Sequence, residues 1–413
     1  MKEIQVAEQS TIPPVLVEMQ NGTIFMADQT DGLRAWAAKG DQRMLAQILF
    51  ENSVPPTSLA VDMQKASGST TRVMVGFENG GFALYSLRTT SFIRLYEHEP
   101  SSSGVISATS LVYPYAVTMS ATQCLSLYKF KELPTDQKGE KMLNAPRLLH
   151  SLKSSNIWPP ISTSLRPTES SIAISIAYAV PTYLSGWTVG IQEIWLDHAG
   201  TLLKSRLASA IDQHYRPLGF SSQPIINHLP AQTIGSLATS TTAELRHIHI
   251  KPTSLSYTHP YLLVSHPDNT LTLYLVTSTT DSLSISPGSR LWGHTSSVSG
   301  AHIGGRGKAV SVSRRGDELR VWELEGGFAS SAARRRLVSG DLSVKIRPEK
   351  RAVTETPQAG LDLVNNASSD RARDDEATEL TLTRGWIGFD EENVVVLKEQ
   401  SQGRQALVVY DFT

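Results

Sequence analysis

The strongest constraint on this chain is a recurring pattern of short runs, four to eight residues long, with β-strand character. The runs are rich in Val, Ile, Leu, Thr and Tyr, and Gly, Asn, Asp, Pro or Ser separate them, as is typical of strands joined by turns. Helical periodicity is rare, so the pattern predicts an all-β chain. The runs group into seven units, at residues 13–50, 57–98, 106–155, 161–209, 250–294, 297–348 and 384–412.

The number of strands in each unit predicts how the sheets close. Six units read as four strands, here lettered a to d, whereas the seventh reads as three. A ring of such sheets protects its edges by radial repetition, and the N-terminal run Ile4–Ala7 can supply the missing strand. We therefore predict one β-propeller over residues 1–413, with seven four-stranded blades and the last blade closed by the N-terminal strand. Six or eight blades are alternatives, and so are two β-sandwiches, although no linker divides the chain into halves.

Two long connections lie outside this pattern. Dividing 413 residues among seven units leaves about 59 residues per unit, more than the ~40–45 of a compact blade. Residues 210–247 are rich in Ser, Thr and Pro and are predicted to form a long loop. Residues 349–379 form a second, acidic loop that we expect to be disordered, since long segments without structure are often functional or disordered.

Composition excludes several classes of protein. Hydrophobic residues make up 40% of the chain, and its net charge of −1 argues against a uniformly basic nucleic-acid binder. Cys124 is the one cysteine, so neither an intramolecular disulfide nor a cysteine-based zinc site can form. The sequence has no signal-peptide pattern and no apolar run of ~18 residues. We expect a cytoplasmic or nuclear protein that is monomeric.

The sixth unit carries the most specific motif of the chain. It reads Leu291-Trp292-Gly293-His294, then Ala309-Val310-Ser311-Val312-Ser313, then Gly316-Asp317-Glu318-Leu319-Arg320-Val321-Trp322-Glu323. This segment resembles a repeat of the WD-repeat β-propeller family. The resemblance implies a structural relay of hydrogen bonds from Trp322 to Ser313, then to His294 and Asp317. Two departures from the family pattern are the position of Asp317, one residue closer to the tryptophan, and Glu323 in place of the terminal aspartate.

A second resemblance concerns the same segment. Residues 291–324 look like the propeller of fungal F-box proteins, in which the propeller selects a substrate and the F-box binds the adaptor of a ubiquitin ligase. The resemblance implies substrate recognition for an SCF-type ligase, with the adaptor as a partner if an F-box lies upstream. We find no helical F-box segment in these 413 residues. We therefore expect either the substrate-binding part alone or a relative that has lost the module.

Motifs for catalysis or for ligand binding are weak. The segment Gly304-Gly305-Arg306-Gly307-Lys308 lacks the Ser or Thr and the following helix that a phosphate-binding loop requires, so we interpret it as an a–b turn. No Gly-x-Ser-x-Gly nucleophile elbow is present. His247 and His249 have no third ligand at metal-binding spacing nearby. We therefore predict a non-catalytic protein without a cofactor or a metal.

Charge is unevenly distributed near the C-terminus. Residues 306–351 hold 12 basic and six acidic side chains, whereas residues 352–379 hold seven acidic and two basic ones. In a propeller the b–c and d–a connections open on one face, here called the upper face, and the a–b and c–d connections open on the other. The spacing places Arg314 and Arg315 at a b–c turn on the upper face. The opposite face is predicted to carry Arg306, Lys308, Arg334, Arg335 and Arg336.

The arginine pair carries the main functional hypothesis. Guanidinium groups bind phosphate or carboxylate through two parallel hydrogen bonds, so Arg314 and Arg315 are expected to receive an acidic or phosphorylated segment of a protein partner. The alternative is a propeller that binds anionic lipid or nucleic acid through the basic loops of the opposite face. The near-neutral total charge does not exclude such local basic patches, and a solvated turn without any ligand is the simplest interpretation of the arginine pair.

Overall fold

The computed structural model of this chain consists almost entirely of β-strands. Among the residues that it describes, it contains 29 strands and one helix. Those residues are 2–7, 16–38, 43–51, 53–62, 71–131, 143–154, 157–181, 186–210, 250–304, 307–314, 318–325, 331–339, 343–346, 380–389, 393–400 and 405–411.

Blades 1 to 4 are antiparallel four-stranded sheets in which sequence neighbours pair. The strands of blades 1 and 2 are β2 (Leu16–Gln20), β3 (Thr23–Asp28), β4 (Gly32–Ala37), β5 (Met44–Ile48), β6 (Pro56–Val61), β7 (Thr71–Phe77), β8 (Phe82–Leu87) and β9 (Phe92–His98). The strands of blades 3 and 4 are β10 (Ile106–Val112), β11 (Tyr115–Ser120), β12 (Cys124–Lys129), β13 (Arg147–Lys153), β14 (Trp158–Pro167), β15 (Ile172–Pro181), β16 (Trp187–Leu196) and β17 (Leu202–Ser209).

Blades 5 and 6 vary this plan at their outer strands. In blade 5 the fourth strand is split into two short pieces that pair with different ends of the third strand, and in blade 6 a helix precedes the fourth strand. Their elements are β18 (Ser254–Thr258), β19 (Tyr261–Ser265), β20 (Leu271–Ser278), β21 (Leu283–Ile285), β22 (Ser289–Leu291), β23 (Val298–Ile303), β24 (Lys308–Ser313), β25 (Leu319–Glu323), α1 (Ser331–Ser339) and β26 (Ser343–Ile346).

Blade 7 joins the two ends of the chain. Its inner strands are β27 (Leu380–Phe389), β28 (Asn393–Gln400) and β29 (Gln405–Asp411), and its outer strand is the N-terminal β1 (Lys2–Ala7). β1 pairs with β29 in antiparallel register, with Ile4 opposite Leu407. The prediction of seven blades closed by the N-terminal run is thus confirmed.

The ring is closed by contacts between neighbouring inner strands. Each first strand contacts the first strand of the next blade, in the order β2, β6, β10, β14, β18, β23, β27 and back to β2. Side-chain hydroxyls bridge four of these junctions. The bridges are Thr57 to the Ile106 carbonyl (2.6 Å), Ser110 to Thr163 (2.7 Å), the Tyr257 N–H to Ser162 (3.2 Å) and the Ile303 N–H to Ser256 (3.0 Å).

The apolar core lies between the blades. Strand side chains alternate between the two faces of a sheet, so each blade buries one set of side chains against each neighbour. The buried apolar residues form seven clusters, one at each junction. The junction of blades 7 and 1, for example, packs Ile24 and Met26 against Val395, Leu397 and Leu407. No blade can therefore bury both faces alone.

The relay of blade 6 differs from the prediction at one described position. The Trp322 N–H donates to Ser311 Oγ (2.7 Å), and the same oxygen lies 2.6 Å from His294 Nε2. The carboxylate near His294 is that of Glu318, with Oε2 3.8 Å from His294 Nδ1. Ser311 thus occupies the place predicted for Ser313. Asp317 lies outside the described residues, so its predicted contact with His294 stays a prediction.

The reason for this difference is the strand register. Trp322 lies opposite Ala309, and Ser311 is two residues further along the same face of β24, where an indole ring can reach it diagonally. Ser313 Oγ instead accepts the Glu318 N–H (3.2 Å) and so holds the b–c turn.

Glu318 links several elements of blade 6. Its carboxylate accepts hydrogen bonds from the Thr295 N–H and hydroxyl at 2.9 and 2.8 Å and from Arg320 Nε at 2.9 Å, and it pairs with Lys345 Nζ at 3.0 Å. Burial by itself raises the pKa of Glu318, but these bonds outweigh it and hold the pKa at about 2. The carboxylate therefore fastens the d–a connection to the third and fourth strands of the blade.

Three sequence predictions fall partly or wholly on residues outside the description. The predicted loop 210–247 is described only at residue 210, and the predicted disordered loop 349–379 lies outside the described residues. His247 and His249 also lie outside them. Within the described chain, no helix is long and apolar enough to cross a membrane.

The chain termini provide a direct test of ring closure. Removing residues 1–7 takes away the outer strand of blade 7 and exposes the edge of β29. We expect the thermal midpoint to fall by ~5 °C or more, since a lost strand costs several kcal/mol. Circular dichroism melting measures this effect, and a synthetic peptide of residues 1–7 should restore part of the loss. An unchanged midpoint would show that β1 does not close the ring.

Glu318 gives a prediction about pH. Because its folded pKa is held at about 2, below the ordinary value of 4.5, it stabilises the fold fully above pH 4.5, and that stabilisation is lost as the pH falls towards 2. Glu318→Gln should therefore flatten the dependence of the unfolding free energy on pH across this window. Denaturant titrations at several pH values measure it, with Glu323→Gln, an exposed glutamate on the same blade, as the control. Equal slopes in the wild type and Glu318→Gln would contradict the assignment.

Candidate functional site

The upper face of blade 6 carries one of the predicted arginines. Arg314 follows β24 at the b–c turn, its side chain is exposed, and its N–H donates to the Ser297 carbonyl at 2.7 Å. That bond ties the b–c turn to the d–a connection between blades 5 and 6, as the predicted topology requires. Arg315 and Arg306 lie outside the described residues.

Lys308 lies at the other end of the same strand. It is the first residue of β24 and is exposed, whereas Arg314 follows the last residue. A strand rises ~3.3 Å per residue, so about 20 Å separates the two backbone positions. Lys308 and Arg314 therefore cannot bind one small anionic group together.

The remaining predicted arginines lie on a helix rather than a loop. Arg334, Arg335 and Arg336 belong to α1, which lies between the third and fourth strands of blade 6. Arg335 and Arg336 are exposed, and α1 contacts β22, the outer strand of blade 5. The helix thus brings two exposed arginines beside a neighbouring blade, which the interpretation as a simple c–d loop did not predict.

The d–a connection after blade 5 adds an aromatic side chain that the sequence analysis did not single out. Trp292 is 47% exposed, and the Arg290 guanidinium lies 5.0 Å from the centre of its ring. Arg290 also pairs with Asp268. Exposed tryptophan and arginine are enriched at protein interfaces. The position of Trp292 directly before the Gly293-His294 motif is the sequence signal that points to an exposed connection.

A cavity of about 190 Å³ opens between blades 1 and 2. Its wall is aromatic, with the Phe50 and Phe77 ring centres 5.2 Å apart at 87° and Phe50 and Tyr85 6.3 Å apart. Arg94 pairs with Glu51 at 3.0 Å and with Glu97 at 2.7 Å on its rim. Its residues come from the d–a connection between the two blades, from three strands of blade 2 and from the turns beside them, so the pattern of any one segment does not reveal the cavity. The full lining is Phe50, Glu51, Val54, Phe77, Asn79, Gly81, Tyr85, Arg94, Glu97, His98, Glu99 and Pro100.

The described residues contain no group of three or more His, Cys, Asp or Glu side chains placed to hold a metal ion. Charged side chains form ion pairs at the cavity rim, where Arg94 pairs with Glu51 and Glu97, and beside Trp292, where Arg290 pairs with Asp268.

Several solved propellers are similar to this chain at low sequence identity. They include the WD40 β-propeller domain of Doa1 (11% identity, 99% of this chain and 95% of that chain, TM-score 0.47). The β-propeller domain of Cps50 (Swd1) from Myceliophthora thermophila shares 12% identity over 100% and 99% of the chains, with a TM-score of 0.49. Sqt1 of Saccharomyces cerevisiae shares 10% identity over 97% and 83%, with a TM-score of 0.43.

Sequence comparison gives a more specific result. A search of curated proteins finds no significant match. The family model of the F-box protein pof12 β-propeller, however, matches residues 1–413. This match covers every blade, including the closing strand β1 and the two surfaces described above. The chain therefore belongs to the F-box protein pof12 β-propeller family.

Proposed function

We propose that this propeller recruits a protein partner to an SCF-type ubiquitin ligase. The observation that carries the proposal is the family match over residues 1–413, because that family is defined on the propellers of F-box proteins. Propellers of the WD40 type are generally protein-interaction modules. The closed ring supplies a rigid scaffold, and the connections on its upper face supply contacts that vary without disturbing the core.

The upper face of blade 6 is the proposed partner surface. Arg314 is exposed, and its backbone is fixed by the bond to Ser297. Arg315 is the next residue in the sequence, so this segment contains two guanidinium groups. We propose that they bind an acidic or phosphorylated segment, because guanidinium pairs with carboxylate or phosphate through parallel, charge-assisted hydrogen bonds. The anchored turn reduces the entropy lost on binding.

The link to the ligase is tested on the full-length gene product. Purified from its own cells under mild conditions, it should recover a ligase adaptor that mass spectrometry identifies. An unrelated tagged protein from the same cells is the control for background. If the intact protein repeatedly recovers protein partners but never an adaptor, the ligase role is wrong while the interaction role stands.

The arginine pair is tested in the purified chain. Arg314→Ala with Arg315→Ala should weaken binding of a fluorescent doubly phosphorylated serine peptide at least ~10-fold, because charge-assisted bonds contribute ~1.5–3 kcal/mol each. Fluorescence anisotropy measures binding, and the unphosphorylated peptide should bind weakly to both forms. The thermal midpoint should hardly change.

A matched double variant locates the effect. Arg335→Ala with Arg336→Ala removes the same charge from exposed positions on α1. It should leave peptide binding within ~2-fold of the wild type. The reason is that salt screens charges on α1 that do not contact the peptide directly. Equal losses in both double variants would indicate attraction by overall positive charge. A large fall in the midpoint of the Arg314 and Arg315 variant would mean that these arginines are structural.

A further inference from the structure

The cavity between blades 1 and 2 lies in a different part of the ring from the arginine turn of blade 6. From its walls, rim and size, we propose that it binds one lysine or arginine side chain of a protein partner. The proposal does not depend on the role in a ubiquitin ligase, because the chain itself contains every group it requires.

The size of the cavity limits what it can hold. Its volume of about 190 Å³ is below the ~300–1,000 Å³ of sites that bury a drug-sized ligand. A single long side chain is the ligand that such a volume favours.

The walls are apolar and fixed. Tyr85 is 3% exposed and Phe77 9% exposed, and both belong to the core cluster at this junction. Phe50 and Val54 come from the d–a connection and pack against the same cluster. The methylene stem of a lysine or an arginine buries readily against such surfaces, and their aromatic faces attract its charged head.

The rim selects for positive charge. It carries three carboxylates, those of Glu51, Glu97 and Glu99, and one guanidinium, that of Arg94. The Arg94 guanidinium already pairs with Glu51 and Glu97, so few of its N–H donors remain for an anionic ligand. Glu99 is exposed and adds a further negative charge beside His98, whose pKa is lowered by burial although Glu99 opposes that shift. With the imidazole neutral near pH 7, the rim has a net charge of −2.

The Tyr85 hydroxyl supplies a polar contact at the wall. Its side chain is almost fully buried and lines the cavity. An ammonium or guanidinium N–H entering the cavity can donate to this oxygen, whereas an aliphatic side chain cannot.

Fluorine NMR tests the proposal on the whole chain. The 12 tyrosines are replaced by 3-fluorotyrosine, and Tyr85→Phe identifies the Tyr85 signal. The probes are N-acetyl-arginine N-methylamide and its lysine, glutamate and leucine counterparts. We expect the arginine and lysine probes to shift the Tyr85 signal saturably, with a dissociation constant on the order of millimolar. The glutamate and leucine probes should leave it in place.

A charge variant confirms the origin of the selectivity. Glu99→Gln removes an exposed carboxylate of the rim and should weaken binding of the arginine probe ~3-fold or more, with the effect shrinking at high salt. Glu169→Gln, an exposed glutamate on blade 4, is the matched control and should not change it. A shift by the glutamate probe, equal shifts by the leucine and arginine probes, or no shift by any probe would overturn the proposal.

Discussion

Packing between neighbouring blades is the constraint on which the rest of this structure depends. Each four-stranded sheet is apolar on both faces, and each of the seven core clusters is shared by two blades. A single blade would expose two apolar faces, so stability requires the complete circle. The last junction requires β1, because without it β29 becomes a free edge next to the cluster that packs Leu407 against Met26. Ring closure thus couples the first residues of the chain to the last.

Because the clusters between the blades supply the stability of the ring, the connections between strands can vary and can bind a ligand. The near-zero net charge of the chain does not describe its local surfaces: the cavity rim between blades 1 and 2 carries three carboxylates and one guanidinium, and Arg314 is exposed at the b–c turn of blade 6. At the turn a backbone bond to Ser297 holds the position, and at the cavity the buried Phe77 and Tyr85 hold the wall. The exposed charges that decide selectivity, such as that of Glu99, contribute little to the core.

The sequence predicted the architecture well because blade spacing and strand composition repeat along the chain. It predicted the relay less well, because register decides which of two serines on the same face of β24 meets Trp322, and the one it meets is Ser311. Helix α1 was missed because its arginines were interpreted as a charged loop, although Ala, Arg and Leu all favour helix. The cavity combines residues near 50, 80 and 97, and only the folded ring brings these segments together.

The cavity also shows how a binding site arises from the ring itself. The cluster between blades 1 and 2 runs from the inner strands outward, and Phe50 and Val54 cover it from the d–a connection. On the outer strand β9, the charged side chains of Arg94 and Glu97 line the cavity and pair with each other. The floor of the cavity is therefore the edge of the core, while its rim is a solvated strand. Because Tyr85 belongs to the core and Glu99 does not, substitutions at Glu99 should change ligand preference at almost no cost in stability, whereas substitutions at Tyr85 should change both.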